Sequence, residues 1–253
     1  MKRIVSLLSI IVSLCLILGG CSAVDRISSG AYTEGDTEIT DEIYKIDIEW
    51  PAGSVMVRGS TVAKGIIIKE SGSEVKLASR VIGSVLYIKP AMPGKEAVEK
   101  SLTVIVPPDY NYREIEIRTD SASAGLRFLK TSRADIETVS GSISVISCEI
   151  DDEAELESKT GNITAGGGIV DYDLQTVSGG IEITTDTVPE DLDAETVKGF
   201  IVANLPGDIP SGSFRIKTKG QVINKLTNKE KGNDYVFKSE TGVIYILENL
   251  NSK

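Results

Sequence analysis

The sequence predicts an all-β fold: a single-stranded parallel β-helix, or solenoid, of about 20-residue coils with an irregular N-terminal part. The first observation is a phrase that returns four times. Thr138-Val139-Ser140-Gly141-Ser142-Ile143 is followed by Ser158-Lys159-Thr160-Gly161-Asn162-Ile163, Thr176-Val177-Ser178-Gly179-Gly180-Ile181 and Thr196-Val197-Lys198-Gly199-Phe200-Ile201. Its glycines stand 20, 18 and 20 residues apart. The second is what alignment on the glycine shows. Two places after it come Ile143, Ile163, Ile181 and Ile201; four places after, Val145, Ala165, Ile183 and Ala203; five before, Ile136, Leu156, Leu174 and Ala194. Alternation of that kind is a strand signal, and no segment carries a helical stripe. The third is the low aromatic content, 5%, which suits stacked aliphatic columns better than a globular core. A β-sandwich with glycine turns is the alternative, but sandwiches seldom keep one bend phrase in phase.

Each repeat reads as strand, glycine bend, strand. One copy cannot bury its apolar face alone, so copies stack and like residues lie over like. The glycine recurs because the bend needs either a positive φ or a close backbone approach. Ile143, Ile163, Ile181 and Ile201 are expected to form one buried column. Thr138, Ser158, Thr176 and Thr196, with Ser140, Thr160 and Ser178, are expected to form outward hydroxyl ladders. About ten coils are expected from the ordered length.

The N-terminus carries a different signal. Lys2 and Arg3 precede an apolar run from Ile4 to Leu18, which ends in Leu18-Gly19-Gly20-Cys21. A basic start, an apolar stretch too short to span a bilayer and small residues before a cleavage point make a secretory signal. The last four residues resemble the bacterial lipobox, which implies cleavage before Cys21 and lipidation of that residue; an uncleaved anchor or an ordinary signal peptide are the other readings. The domain assignment is therefore 1–20 lipoprotein signal peptide, 21–42 flexible tether and 43–250 β-solenoid. Loss of the signal takes Lys2 and Arg3 away, so 27 basic residues become 25 against 37 acidic ones and the formal charge goes from −10 to −12. An acidic chain argues against nucleic acid and against charge-driven binding to anionic lipid, and permits cationic partners. Cys148 is the remaining thiol, so no internal disulfide is expected; it reads as buried and inert.

Within the domain, Ile48, Gly53, Val55 and Val57 repeat the phrase weakly. Gly83 fits the same register with Val85 and Tyr87 turned inward. Residues 120–126 fit poorly, so that coil is expected to be degenerate or bulged. Fainter copies stand at Gly220 and Gly242, in that order, with Arg215 and Asn224 in place of apolar core residues at the first.

These phrases, the Leu205-Pro206 excursion and the closing Ser239-Glu240-Thr241-Gly242-Val243-Ile244 resemble the bacterial β-strand-repeat domain of unknown function often labelled "putative adhesin", similar to adhesin-head β-helices. The resemblance covers about residues 43–248. It implies an envelope protein, and some members are associated with envelope-stress or antimicrobial-peptide responses; together with the lipobox, the expected location is extracytoplasmic, lipid-anchored to a bacterial membrane. It carries over no catalytic residue.

The residues themselves are poor in chemistry. There is no histidine, which removes Ser-His-Asp and Cys-His arrangements and most zinc sites. No G-x-S-x-G elbow or phosphate loop is present, and Gly166-Gly167-Gly168 has no helix after it. No cofactor, metal or catalytic residue is assigned. Asp151-Asp152-Glu153 with Glu155 and Glu157 could hold Ca²⁺, but a solvated acidic turn is the commoner outcome. Asp151, Asp171 and Asp191, spaced 20 and 20 residues apart, are the candidate face for a cationic partner, expected to stack about 4.8 Å apart. Three function classes follow: a non-catalytic binding or scaffold module at the envelope, which is favoured; an envelope-stress sensor binding cationic antimicrobial peptides; and a β-helix polysaccharide lyase or hydrolase.

Overall fold

The computed structural model describes residues 32–72, 76–91, 100–206, 213–226 and 234–249. The signal segment, Cys21 and the tether up to residue 31 lie outside them. The described residues are all-β, with no helix.

Twenty strands build one stacked sheet. A cap is made by β1 (Thr33–Glu34), β2 (Thr37–Ile39), β5 (Ile66–Gly72) and β6 (Leu77–Ile82). The coils on its side are β3 (Lys45–Glu49) with β4 (Gly53–Gly59), β7 (Val85–Pro90) with β8 (Lys100–Val106), and β9 (Tyr112–Thr119) with β10 (Ser123–Arg127). The middle is β11 (Lys130–Thr138), β12 (Ile143–Ser158), β13 (Ile163–Thr176) and β14 (Ile181–Thr184), where β12 and β13 each run through a corner and serve two coils. Then come β15 (Asp191–Thr196) with β16 (Ile201–Leu205), β17 (Ser213–Thr218) with β18 (Val222–Asn224), and β19 (Asp234–Ser239) with β20 (Ile244–Glu248).

Every coil contributes one strand to each of two faces. Along face one the parallel order is β7, β3, β9, β11, the second half of β12, the second half of β13, β15, β19, β17. Along face two it is β8, β4, β10, the first half of β12, the first half of β13, β14, β16, β20, β18. That makes nine coils. Chain order and stacking order agree only in the middle. At one end β3/β4 slots between β7/β8 and β9/β10; at the other, β19/β20 slots between β15/β16 and β17/β18. The Gly242 phrase therefore lies against the Gly199 coil, and the Gly220 phrase, earlier in the chain, is outermost.

Being outermost explains the Gly220 coil's weak sequence. It needs only one apolar side, and Val222 is 42% exposed although it shares a column with Ile244. Its bend is one residue shorter than the others, with Gly220 donating its N–H to Thr218 two positions back. That shortening turns Arg215 outward, leaves Ile216 opposite Phe237 and corrects the expected core place of Arg215. Phe214 rings pack against Tyr235 and Phe237, centroids 5.5 and 6.3 Å away, giving the core an aromatic end.

The other end departs from a purely parallel helix. β5 and β6 run antiparallel to β8 and β7, and β2 and β1 run antiparallel to β5 and β6. Residues 33–39, read as tether, are thus part of the cap. Gly83 sits in the β6–β7 hairpin with φ 60°, and Leu86 and Ile88 are buried instead of Val85 and Tyr87. Residues 120–126 are in register after all: Ala124 lies beside Ile143 and Leu126 beside Val145.

The isoleucine column is as expected. Ile143, Ile163, Ile181, Ile201 and Ile244 are in register on successive coils and at most 1% exposed. The hydroxyls are a correction. Ser140, Thr160 and Ser178 do point outward, but Thr138, Ser158, Thr176 and Thr196 are buried. Ser158 accepts the N–H of Gly161 (2.8 Å) and donates to the carbonyl of Gly141 one coil away (3.2 Å). Thr176 does the same for Gly179 and Gly161, and Ser239 for Gly242 and Gly199. Each hydroxyl thereby satisfies one bend donor and one bend acceptor that would otherwise be buried unpaired. Where the ladder reaches β3/β4, Trp50 stands in the hydroxyl's place, and its indole Nε1 donates to the Lys100 carbonyl (3.2 Å).

Except Gly53 at the β3/β4 end, whose φ is 92°, the glycines of this ladder do not have left-handed φ angles. They are glycine because a Cβ at Gly161 would lie 1.8 Å from the Gly141 carbonyl oxygen, and one at Gly179 would lie 1.9 Å from that of Gly161. Close approach is the reason for them, joined at Gly53 by a positive φ, where a Cβ would also lie 2.1 Å from the Lys100 carbonyl oxygen.

Candidate functional site

Strand alternation sends every second residue of face one outward, and stacking converts those residues into three rows. One row runs Lys45, Glu114, Arg133, Glu153, Asp171, Asp191, Asp234. The next runs Asp47, Glu116, Asp135, Glu155, Asp173, Asp193, Val236, and the third Glu49, Arg118, Glu137, Glu157, Gln175, Glu195, Lys238. Face two presents in the corresponding places Ser, Thr and Asn, such as Ser54, Ser101, Ser123, Ser144 and Thr164, mixed with apolar residues such as Met56, Ile105 and Ile146, with Arg58, Arg127 and Glu182 as charges. The acidic charge is therefore concentrated on one face.

Cations offset it at both margins. Lys45 Nζ lies 2.8 and 2.6 Å from Glu114 and Glu116, and Arg118 also pairs with Glu116. Arg133 pairs with Glu153 (3.3 Å) and with Glu155. Lys238 reaches Asp193 (3.6 Å) and Glu195, and Arg215 pairs with Asp234. Arg133 lies within the stack, on the strand of Asp135; Asp135, Glu157 and Asp173 themselves make no ion pair among the described residues, although Asp173 accepts a hydrogen bond from Gln175 Nε2 (2.9 Å).

The electrostatics follow from that gap. Burial, with Glu137, Glu155, Asp173 and Asp135 adding repulsion, pushes the Glu157 carboxyl up to about 7. Burial, then Glu155 and Glu137, pushes Asp135 up to about 6. Asp47, Asp173 and Asp193 are raised as well, each chiefly by burial. Carboxylates this crowded favour a proton or an external cation.

The three predicted aspartates are not one stack. Asp171 and Asp191 are in register, and Asp171 accepts the backbone N–H of Asp191 (3.0 Å). Asp151 is out of the row: a register shift between Ile150 and Glu153 puts Glu153 beside Asp171, and Asp151 pairs with Lys130 instead (3.1 Å). The expected spacing of 20 residues from Asp151 to Asp171 is coincidental, because two bulges in β12, between Ile146 and Cys148 and between Ile150 and Glu153, each take up one residue. No group of His, Cys, Asp or Glu among the described residues is arranged to hold a metal ion. Cys148 is buried, and burial pushes its thiol up to about 11, so it is a poor nucleophile.

With coils and face in place, the chain can be set beside known proteins. The profile of the Toastrack DUF4097 family matches residues 60–243. The chain belongs to that family. The Toastrack fold is shared with a "putative adhesin" of Bacteroides fragilis, solved by crystallography, at 14% identity and TM-score 0.50, covering 87% of this chain and 98% of that one. A "putative cell adhesion protein" of Clostridium sporogenes is similar at 10% identity and TM-score 0.37, over 86% of this chain and 100% of the other. No curated protein matches.

Asp135, Glu137 and Asp47 were missed in reading the Toastrack sequence. The signal was available: inward positions were aligned on the glycine, whereas the positions between them, four and six places before it, hold the acids Glu137, Glu157 and Glu195 and Asp135, Glu155, Asp173 and Asp193. A pH prediction follows for this Toastrack domain. Glu157 has its folded value raised, so the native state binds more protons than the unfolded chain between about pH 4.5 and 7. Stability should fall as pH rises through that window. Glu157→Gln should raise the melting temperature at pH 8 and leave it unchanged at pH 4.5. Thermal scans at the two values would refute this if the variant melted lower at pH 8.

Proposed function

We propose that this protein is a non-catalytic binding module, carried on the outside of a bacterial membrane by lipid on Cys21, and that face one receives a cationic partner, a basic peptide or protein segment. The observation that carries the reading is the centre of face one, where Asp135, Glu157 and Asp173 crowd together with no ion pair of their own among the described residues, and burial and mutual repulsion outweigh the pull of Arg118, Arg133 and Lys238. An incoming ammonium or guanidinium group would relieve repulsion that burial and crowding sustain in the free protein. A cationic antimicrobial peptide is one partner of this chemistry, so the envelope-sensor reading uses the same surface. The adhesin description of the Bacteroides fragilis protein is of a binding role too. Asp171 and Asp191 remain at the rim of the face; Asp151, engaged by Lys130, is no longer assigned to it.

Fluorescence anisotropy with a labelled oligolysine peptide tests the face. Binding is expected at low salt and should weaken as the Debye length shrinks towards about 8 Å at physiological ionic strength. Combined Asp135→Asn, Glu157→Gln and Asp173→Asn changes should lower affinity about tenfold or more, the equivalent of about 1.4 kcal/mol. Unchanged affinity in that variant defeats the reading. The anchor has its own test: labelled fatty acid should enter the wild-type chain in bacterial cells and not Cys21→Ala.

A further inference from the structure

The two ends of the stack differ in charge and match in geometry. Among the described residues, β1 pairs only with β6 and β2 only with β5, whereas β17 pairs only with β19 and β18 only with β20. Each of these four strands has one edge unpaired among the described residues, and all belong to the compact unit Tyr32–Lys253. β1 is antiparallel to β6, which is antiparallel to β7, so β1 runs in the direction of β7 and of every face-one coil strand out to β17. By the same two reversals β2 runs in the direction of β8 and of β18. The turn at Gly35 joins β1 on face one to β2 on face two, the sense followed by the nine coils. β1/β2 is thus a short coil of ordinary sense at the acidic end.

Acidic it is: residues 32–42 hold Glu34, Asp36, Glu38, Asp41 and Glu42 and no Lys or Arg. Residues 213–226 hold Arg215, Lys217, Lys219 and Lys225 and no Asp or Glu, in a chain of net charge −10. Lys217, Lys219 and Lys225 make no ion pair among the described residues. Lys217 faces another cation, Lys238, on its paired side, an unfavourable neighbour that an acid on its free side would offset. The last apolar layer is open at both ends, with Val222 exposed and Phe214, Ile216 and Ile39 only partly buried.

From these observations we infer that the protein self-associates head to tail: the β17/β18 edge of one copy pairs in parallel with the β1/β2 edge of a second. A copy moved along the stack axis without reversal brings β1 beside β17 and β2 beside β18, each in the direction the ladder requires. Charge selects this pairing, because two acidic ends or two basic ends repel. The contact is heterologous and leaves a free edge at each end, so it can repeat. It does not use Asp135, Glu157 or Asp173, and so stands apart from the binding face.

The test is a directed cross-link in the full chain, kept in mild detergent, with Cys15→Ser and Cys21→Ser and the buried Cys148 retained. Copies carrying Glu34→Cys are mixed with copies carrying Lys217→Cys and oxidised gently at low salt. A disulfide dimer containing one of each is expected, and it should disappear at about 1 M salt, where the Debye length is about 3 Å. In sedimentation without cross-linking, Lys217→Glu with Lys219→Glu should reduce the protein to monomer. Mixing that variant with Glu34→Lys plus Glu38→Lys should restore dimers. A wild type monomeric at every concentration in low salt overturns the inference. So does cross-linking of Lys217→Cys to Glu155→Cys in preference to Glu34→Cys, which would place the basic end on the acidic face.

Discussion

Gly161→Ala should prevent the domain from folding, or leave it destabilised by more than about 4 kcal/mol. Gly161 stands in the middle of the ladder, and a methyl group there would lie 1.8 Å from the Gly141 carbonyl oxygen and 2.8 Å from the Ser158 hydroxyl. Ordinary contact needs well over 3 Å, so the two coils must part by more than an ångström. The movement would break the hydrogen bond from Ser158 to Gly141 and strain the one that Gly161 receives. Neither coil can move alone, because each is paired on its other side as well. Gly83→Ala is the control. A Cβ there meets nothing within 4 Å, and its cost comes only from φ 60°, about 1 kcal/mol. Urea unfolding of both variants measures the contrast; equal losses would show that the bend glycines are chosen for backbone angle and not for proximity.

Ile181→Ala should cost about 2–5 kcal/mol, in the upper part of that range. Ile181 is fully buried between Ile163 and Ile201 in the same column. The cost depends on how far the surroundings collapse into the cavity, and here β14 is held by backbone ladders on both sides. Val222→Ala removes carbon from the same column at its open end, where the side chain is 42% exposed; it should cost less than about 1 kcal/mol. Chemical denaturation of the pair decides the matter. A small loss at Ile181 would mean that the coils are not mechanically tied as the register implies.

The middle of the fold could be read directly because it repeats a phrase with the same chemistry at each place: Ile143, Ile163, Ile181 and Ile201 do the same job in the same surroundings. The places that misled are those where a different residue meets the same need. Ala122 replaces the bend glycine and Ala124 the isoleucine, so residues 120–126 looked degenerate while sitting in register. Gly83 kept the right spacing from Val85 and Tyr87 but serves a hairpin with a positive φ, and spacing cannot separate a hairpin from a solenoid bend. The order of the Gly220 and Gly242 coils was invisible because both phrases could stack on Gly199; what decided it is that the coil with Arg215 and Asn224 tolerates solvent and the coil with Phe237 and Ile246 does not. For the binding face, Asp171 and Asp191 were found through their period. Asp151 was wrongly joined to them because a bulge between Ile150 and Glu153 changes the count without leaving a mark in composition.

The placing of β19/β20 between β15/β16 and β17/β18 constrains how the molecule is made. A ribosome releases residues 213–226 before residues 234–248, yet the earlier segment has no surface to dock on until the later one is seated. The outermost coil must wait, and the later segment has to enter the stack one layer in from its end. Growth by simple addition of one coil after another, available to most solenoids, therefore stops at residue 205. Closure of this end depends on contacts between segments far apart in time of synthesis, which slows folding. A chain shortened by even its final twenty residues would lose the seat of the basic coil along with the coil it removes, so truncation at this end should be far more damaging than its distance from the core suggests.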